Sequence, residues 1–477
     1  MAFTDVTAFM GDHPFITGGI LVALLFDFVN GFHDSANAIA TVIATKVLTP
    51  AKALTMAAFF NFVGPFTFGT AVAAAVGGGI LNGKGIPTDL LPIVVFAALT
   101  GAIVWNLITW YVGLPSSSSH ALVGGLVGAA LAASGPLGII QPTWAEMIGI
   151  GKWTVLGALA GVGAGLVAFV VSRSRLPRPL LAPMGIVGAV AMGGLFYATH
   201  KLPKWAGDPR VFVEYGLTTL TILFLGLIVG GVLWTITQQR MSLALVPGFA
   251  LFGACVVLVI VVLMNMLPMT TITKTVLFMV VSPILGFFAA FLLMSLVSWL
   301  ALRRNPGAVS KTSKRMQLFS SAFYALTHGT NDAQKTMGII ALLVLAAGGV
   351  SVAPGAKLPI PSWVILASAT AMGLGTLFGG WRIIRTMASR ITHLTPIQGF
   401  AAETGGGVVL VGMAQAGIPV STTHAITASI MGVGATKRTS AVSWGMGRRI
   451  VGAWILTIPA AAAVGYVSFF ILRLALG

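Results

Sequence analysis

The chain reads as an all-α polytopic membrane protein of roughly 12 transmembrane helices, built from two inverted repeats and carrying two re-entrant helical hairpins. Three observations predict this. Hydrophobic residues fill 57% of the 477 positions and charged residues only 8%, against about 25% charged in soluble domains, and the mean hydropathy is +0.98. Apolar runs long enough to cross a bilayer recur along the chain, for example at 243–264, 275–302 and 450–472. One set of polar motifs also occurs twice in the same order, inside otherwise apolar sequence.

The first fourteen residues contain Asp5 and Asp12 but no Lys or Arg. A basic signal-peptide start is therefore missing, and the first apolar segment is expected to stay as a membrane helix. The single cysteine, Cys255, lies in an apolar run and excludes an internal disulfide framework. The 59 glycines suit close helix packing in lipid. No resident metal and no cofactor are expected.

A net charge of +17 raises the question of nucleic acid, but its distribution answers it. The basic residues gather in short loops: Arg173, Arg175 and Arg178; Arg303, Arg304, Lys311, Lys314 and Arg315; Arg382, Arg385 and Arg390; Lys437, Arg438, Arg448 and Arg449. That is the positive-inside pattern, so these loops are expected in the cytoplasm, the N-terminus outside and the partner to be a lipid bilayer, with no nucleic acid.

The first motif copy reads GFHDSANAIA from Gly31, followed by LPSSSSHAL from Leu114; the second reads GTNDAQKTMG from Gly329, followed by IPVSTTHAI from Ile418. By loop charge the second copy enters from the side opposite to the first, as inverted repeats do, with the site where the copies meet. The expected organisation is a first repeat over 14–172, connecting scaffold helices over 173–314 and a second repeat over 315–475.

Only four of the ten acidic residues lie in apolar stretches: Asp27, Asp34, Asp332 and Glu403. Four of the seven histidines, His33, His120, His328 and His424, belong to the motifs. Asn30, Asp34 and Asn37 share one helical face, and His328, Asp332 and Lys335 are their equivalents. Gly31 and Gly329 are expected to break or kink the helix beside each carboxylate, freeing backbone groups for an ion. Asp34, Asp332 and Glu403 are thus the candidate coupling-ion or proton residues, with Lys335 and the four histidines in support.

Ser117, Ser118 and Ser119, and again Ser421, Thr422 and Thr423, precede short apolar stretches. Hydroxyl residues are favoured N-caps, and a helix N-terminus offers free N–H groups and partial positive charge to an anion. Each stretch is short for a full span, which suits a re-entrant hairpin.

Both motif pairs resemble the inorganic phosphate transporter (PiT) family, over both terminal thirds of the chain. The run from Asn30 to Val42 is similar to the bacterial low-affinity branch, although other members carry Asn where this chain has His33. The resemblance implies an inner-membrane symporter of inorganic phosphate, alone or as a divalent metal–phosphate complex, coupled to protons. Sodium coupling and sulfate as substrate are the alternatives within the family. It also implies that Asn37 and Asn331, with Asp34 and Asp332, contact phosphate and cation, and that the six hydroxyls line the phosphate. Asn61 stands where sodium-coupled relatives tend to have an acid, which tilts the reading toward protons. Oligomeric state is left open between monomer and homo-oligomer.

Enzyme readings fail on the motifs. The Tyr-Asp and Gly-x-Gly-Asp elements of intramembrane aspartyl proteases are missing, and Ser119 and His120 are adjacent with no nucleophile motif around them. A channel would need no inverted repeat, and saturable accumulation separates it from a carrier.

Overall fold

The protein is described by a computed structural model over residues 3–82, 85–141, 270–348 and 358–476. The first part comprises α1 (Phe3–Asp12), α2 (Pro14–Ala44), α3 (Pro50–Val63) running through a 3-10 turn (Gly64–Phe66) to α4 (Ala71–Gly79), α5 (Leu91–Val112) and α6 (Ser118–Ser134). The second comprises α7 (Thr271–Ala301), α8 (Pro306–Ala347), α9 (Ser362–Phe378), α10 (Trp381–Ser389), α11 (Pro396–Gln415), α12 (Thr422–Ala435) and α13 (Trp444–Leu476). The only β pairing among the described residues is one isolated bridge, Leu81 to Ile139.

Five of these segments are long and apolar enough to cross a membrane alone: α2, α5, α6 with its 3-10 extension to Gly138, α7 and α13. The α3–α4 pair bends by 74° and the α9–α10 pair by 69°, which raises the number to as many as seven. The expected connecting block lies outside the described residues up to position 269, as do Cys255 and the arginines at 173, 175 and 178. Its last helix, α7, packs on α11 and α12. The expected start of the second repeat, residue 315, falls inside α8.

The element order before α7 recurs after it: a long motif helix (α2, α8), a bent pair, a single helix (α5, α11) and a helix opened by hydroxyl residues (α6, α12). Local chemistry sets the boundaries. The Ser117 and Ser421 hydroxyls accept from the His120 and His424 backbone N–H groups and start α6 and α12. A capping box between Thr395 and Gln398 starts α11. Gly113 ends α5 in the left-handed conformation, φ 74°.

The two motif helices run antiparallel. Gly19 of α2 meets Leu343 of α8 at one end, and Thr45, just past α2, donates to Gln317 Oε1 at 2.8 Å at the other. That length is about 39 Å of helix, more than the hydrocarbon core.

Neither motif helix breaks. Both α2 and α8 pass through Gly31 and Gly329 as continuous helices, contrary to the expected break. The glycines serve contact instead. A Cβ at Gly31 would lie 2.2 Å from the Met372 carbonyl oxygen of α9, and one at Gly329 would lie 2.4 Å from the Asn61 carbonyl oxygen of α3. Each motif helix is therefore clasped by the bent pair of the other half, and only hydrogen fits at the crossing. The outward surface stays apolar, with Leu25, Val280, Ile455 and Ile471 exposed, as a lipid-facing wall requires.

This packing makes a prediction. Gly329→Leu forces α8 away from α3 and should cost about 1–3 kcal/mol or more, read as a lower thermal midpoint in detergent. An unchanged midpoint would contradict the crossing.

Candidate functional site

Asp34 comes from the middle of α2 and Asp332 from the middle of α8. The crossing brings them together: Asp34, His328 and Asp332 each present a ligand atom, and these atoms all lie within 4.8 Å of one another. All three residues are buried. Two carboxylates so close, away from water, are costly unless donors or cations surround them.

The donors come from the N-termini of α6 and α12. Ser118 Oγ donates to Asp34 Oδ2 at 3.2 Å. Thr423 Oγ1 lies 3.5 Å from Asp34 Oδ1, and Thr422 Oγ1 donates to Asp332 Oδ2 at 3.1 Å. Asn37 Nδ2 donates to Thr423 Oγ1 at 2.9 Å. Thus the second half's hydroxyls reach both carboxylates, and the first half's reach Asp34.

Lys335 is the cation of the site. It is only 2% exposed, and its Nζ donates to Asp332 Oδ1 at 2.5 Å, to Ser119 Oγ and to the Val420 carbonyl at 3.1 Å. One ammonium thereby ties α8 to the openings of both α6 and α12. His33 Nδ1 donates to Asp34 Oδ1 at 2.6 Å, and its Nε2 lies 3.0 Å from Thr109 Oγ1. His328 Nε2 stands 3.3 Å from Asp332 Oδ2, and its Nδ1 lies 3.2 Å from Asn61 Oδ1.

Other expected residues sit elsewhere. The Ser117 and Ser421 hydroxyls are occupied as helix caps. Asn331 donates to the backbone carbonyls of Thr327 and Leu410. His120 and His424 pack behind the hydroxyl segments with ring centroids 4.8 Å apart, and His424 stacks on Trp454 at 3.9 Å. Glu403 lies in a separate buried cluster: Thr41 Oγ1 donates to it at 2.6 Å, Gln317 Nε2 at 3.2 Å, and Ser320 Oγ also donates. No cation pairs with it among the described residues.

Several participants were not singled out in the sequence. Thr41, Gln317 and Ser320 surround Glu403, Thr109 supports His33, and Tyr324 Oη donates to the Thr422 carbonyl at 2.9 Å, holding the start of α12. A signal existed: Gln317, Ser320, Tyr324, His328 and Asp332 follow the three-and-four spacing of one helical face.

The arrangement can hold a cation between carboxylates and an anion at the paired helix N-termini beside them. The chain matches the phosphate transporter family over residues 30–205 and 179–465. The chain belongs to that family. Among curated relatives, it is 37% identical over 457 residues to the "Probable low-affinity inorganic phosphate transporter" of Rhizobium meliloti, covering 96% of each chain. The protein of the same name from Bacillus subtilis is 32% identical over 455 residues, covering 95% of this chain and 96% of that one. A solved structure, "The sodium-dependent phosphate transporter", superposes with a TM-score of 0.59 at 22% identity, covering 97% of this chain and 99% of that one; that likeness concerns the fold. This family member is a multi-pass membrane transporter of phosphate, not an enzyme.

The buried lysine gives a second prediction. Lys335→Met leaves Asp332 without its ammonium and should destabilise by about 3–5 kcal/mol. Adding Asp332→Asn should restore part of that loss in thermal unfolding of the purified protein. Additive losses in the double variant would mean the pair is not coupled.

Proposed function

We propose that the chain is a secondary active symporter that carries inorganic phosphate together with protons by alternating access. The observation that carries the reading is the meeting of Asp34 and Asp332, one from each half, under the hydroxyl-bearing openings of α6 and α12. A phosphate dianion placed at those helix N-termini adds negative charge beside two carboxylates. Such a site is tolerable only when cations or protons arrive with the anion, and that requirement is what makes a symporter. Ser118, Ser119, Thr422 and Thr423, with Asn37, line the anion. Ser117 and Ser421 shape the two openings as caps, and Asn331 acts by bracing α8 against α11. Asp34 and Asp332 take the coupling cation or proton, and Glu403 is a further proton carrier in its own cluster. An ionised carboxylate near the site accepts the hydrogen of hydrogen phosphate, a preference that sulfate does not satisfy. The carboxylate and imidazole oxygens and nitrogens of Asp34, His328 and Asp332 also suit a divalent metal travelling with phosphate as cargo.

The membrane orientation follows from charge. Lys46 succeeds α2 at the Thr45 end, and Lys311, Lys314 and Arg315 precede Gln317 at the same end. Assigning that end to the cytoplasm puts the N-terminus outside; an inner-membrane location is part of the same proposal and rests on the likeness to the bacterial relatives. The antiparallel course of α2 and α8, with matching element order around them, supports two inverted repeats, 14–172 and 315–475. The α5–α6 and α11–α12 pairs are proposed as the hairpins turning at the hydroxyl segments, although α6 with its 3-10 extension is longer than the sequence predicts and is itself long enough to cross. Residues 173–314 serve as the connecting block.

A sodium-coupled reading has one observation in its favour: the fold is shared with a transporter described as sodium-dependent. Labelled phosphate uptake into proteoliposomes decides. A pH gradient should drive accumulation, excess sulfate should leave it unchanged, and Asp34→Asn and Asp332→Asn should each reduce it to background. Thr422→Ala, which removes one donor to Asp332, should slow uptake by about tenfold, from about 1.5 kcal/mol of lost hydrogen bonding to a charged group. Accumulation driven by sodium alone would reverse the coupling assignment, and strong sulfate competition would reassign the substrate. No concentrative uptake would refute the symporter.

A further inference from the structure

Asp27 is a buried acid that the phosphate site leaves unused. It precedes Asp34 by two turns of α2, about 10 Å along the same helical face, and its exposure is 0%. The polar groups beside it are the hydroxyls of Thr336 on α8 and Ser368 on α9. Both hydroxyls stand within reach of the carboxylate, yet the two Asp27 oxygens, Thr336 Oγ1 and Ser368 Oγ complete no hydrogen bond of good geometry as placed. Buried polar groups are nearly always paired. Four such orphans supplied by three helices at one place mark a position that needs an occupant.

The charged surroundings say which occupant. From α8, Asp332 and Lys335 act on Asp27 through the interior, but these two are already paired with each other. The helices α9 and α5 carry no acidic or basic residue. Asp12 of α1, Lys52 of α3, and Arg382 and Arg385 of α10 are exposed. From α6, α11 and α12, the ionisable groups are His120, Glu403 and His424; Glu403 is held by its own donors and the two imidazoles lie against each other. His33 and Asp34 on α2 itself are paired. No cation is therefore free to neutralise Asp27 among the described residues. A metal cation would ask for about six oxygen ligands, more than these three side chains supply. A proton asks for one oxygen. The protonated acid donates one hydrogen bond and accepts from the hydroxyls, which satisfies the set.

We propose that Asp27, flanked by Thr336 and Ser368, is an additional proton-binding site, separate from the Asp34–Asp332 pair and from Glu403, and coupled to the pair through space. The inference rests on the proton-coupled reading above and deepens it. Phosphate arriving at the α6 and α12 openings adds negative charge two turns away, which favours a proton on Asp27. By linkage, a proton on Asp27 favours phosphate by the same factor. In the proposed orientation Asp27 lies on the outer side of the phosphate site, and Glu403 lies on the cytoplasmic side. Protons entering from outside would meet Asp27 first.

The test uses the full-length protein in liposomes, with labelled inorganic phosphate. Asp27→Asn should keep phosphate–phosphate exchange across the membrane, yet accumulate several-fold less phosphate under a pH gradient, and its exchange should depend less steeply on pH, the remaining dependence coming from Asp34, Asp332 and Glu403. Asp27→Glu should recover both. As a readout independent of transport, infrared difference spectra with and without phosphate should contain a protonated-carboxyl band that vanishes in Asp27→Asn and shifts in Thr336→Val/Ser368→Ala. Wild-type accumulation by Asp27→Asn, or an unaltered carboxyl band, would overturn the Asp27 assignment while leaving the symporter intact. Loss of exchange in a monodisperse Asp27→Asn protein would also overturn it, by making Asp27 part of the phosphate site. A wild-type protein that ignores pH and follows sodium would overturn the coupling reading and the Asp27 site with it.

Discussion

The structure depends on one constraint: carboxylates held in an apolar interior must be met by donors or by positive charge. Asp34 and Asp332 meet it at the crossing of α2 and α8, where a single ammonium and a set of hydroxyls surround them. Lys335 does more than pair with Asp332. By also binding Ser119 and the Val420 carbonyl, it fixes where the hydroxyl-bearing helices of both halves begin. The hydroxyl-bearing helix openings (the proposed anion site) and the carboxylate pair are thereby parts of one hydrogen-bonded unit.

That unit exists only because the helices approach closely. At Gly31 and Gly329 the backbones of α9 and α3 occupy the space of a side chain, so the motif helices sit deep between the bent pairs. The same face of α2 then serves three buried polar groupings in succession. Asp27 lies beside Thr336 and Ser368, Asp34 meets Asp332, and Thr41 bonds Glu403 together with Gln317 and Ser320. From Asp27 to Thr41 is about 21 Å of helix, a large part of a hydrocarbon core about 30 Å thick. Polar groups strung along one face at this depth are the arrangement expected of a pathway for ions or protons.

Much of this is legible in the amino-acid sequence alone. The duplicated motifs name Asp34, Asp332, Lys335 and the hydroxyl residues, and the caps at Ser117 and Ser421 fall where the side-chain chemistry puts them. The roles of the glycines were misread, for a definite reason. A missing Cβ permits either a bend or a close contact, and the choice is made by the helix opposite, which the local sequence does not contain. Asn331 is a similar case: its motif position places it beside Asp332, but successive residues on a helix diverge by about 100°, and its amide meets backbone carbonyls instead.

The sequence by itself determined the class of molecule, the helices and the residues that carry charge into the membrane. Hydropathy, capping and loop charge act locally, so a linear reading captures them. Only the tertiary structure decided which of those residues meet. Asp34 is bonded by Thr423 from the far end of the chain, and Glu403 by Thr41, because antiparallel crossing of two helices converts distant positions into neighbours. That pairing depends on the depth and register of the crossing, set by glycines and carbonyls on separate elements.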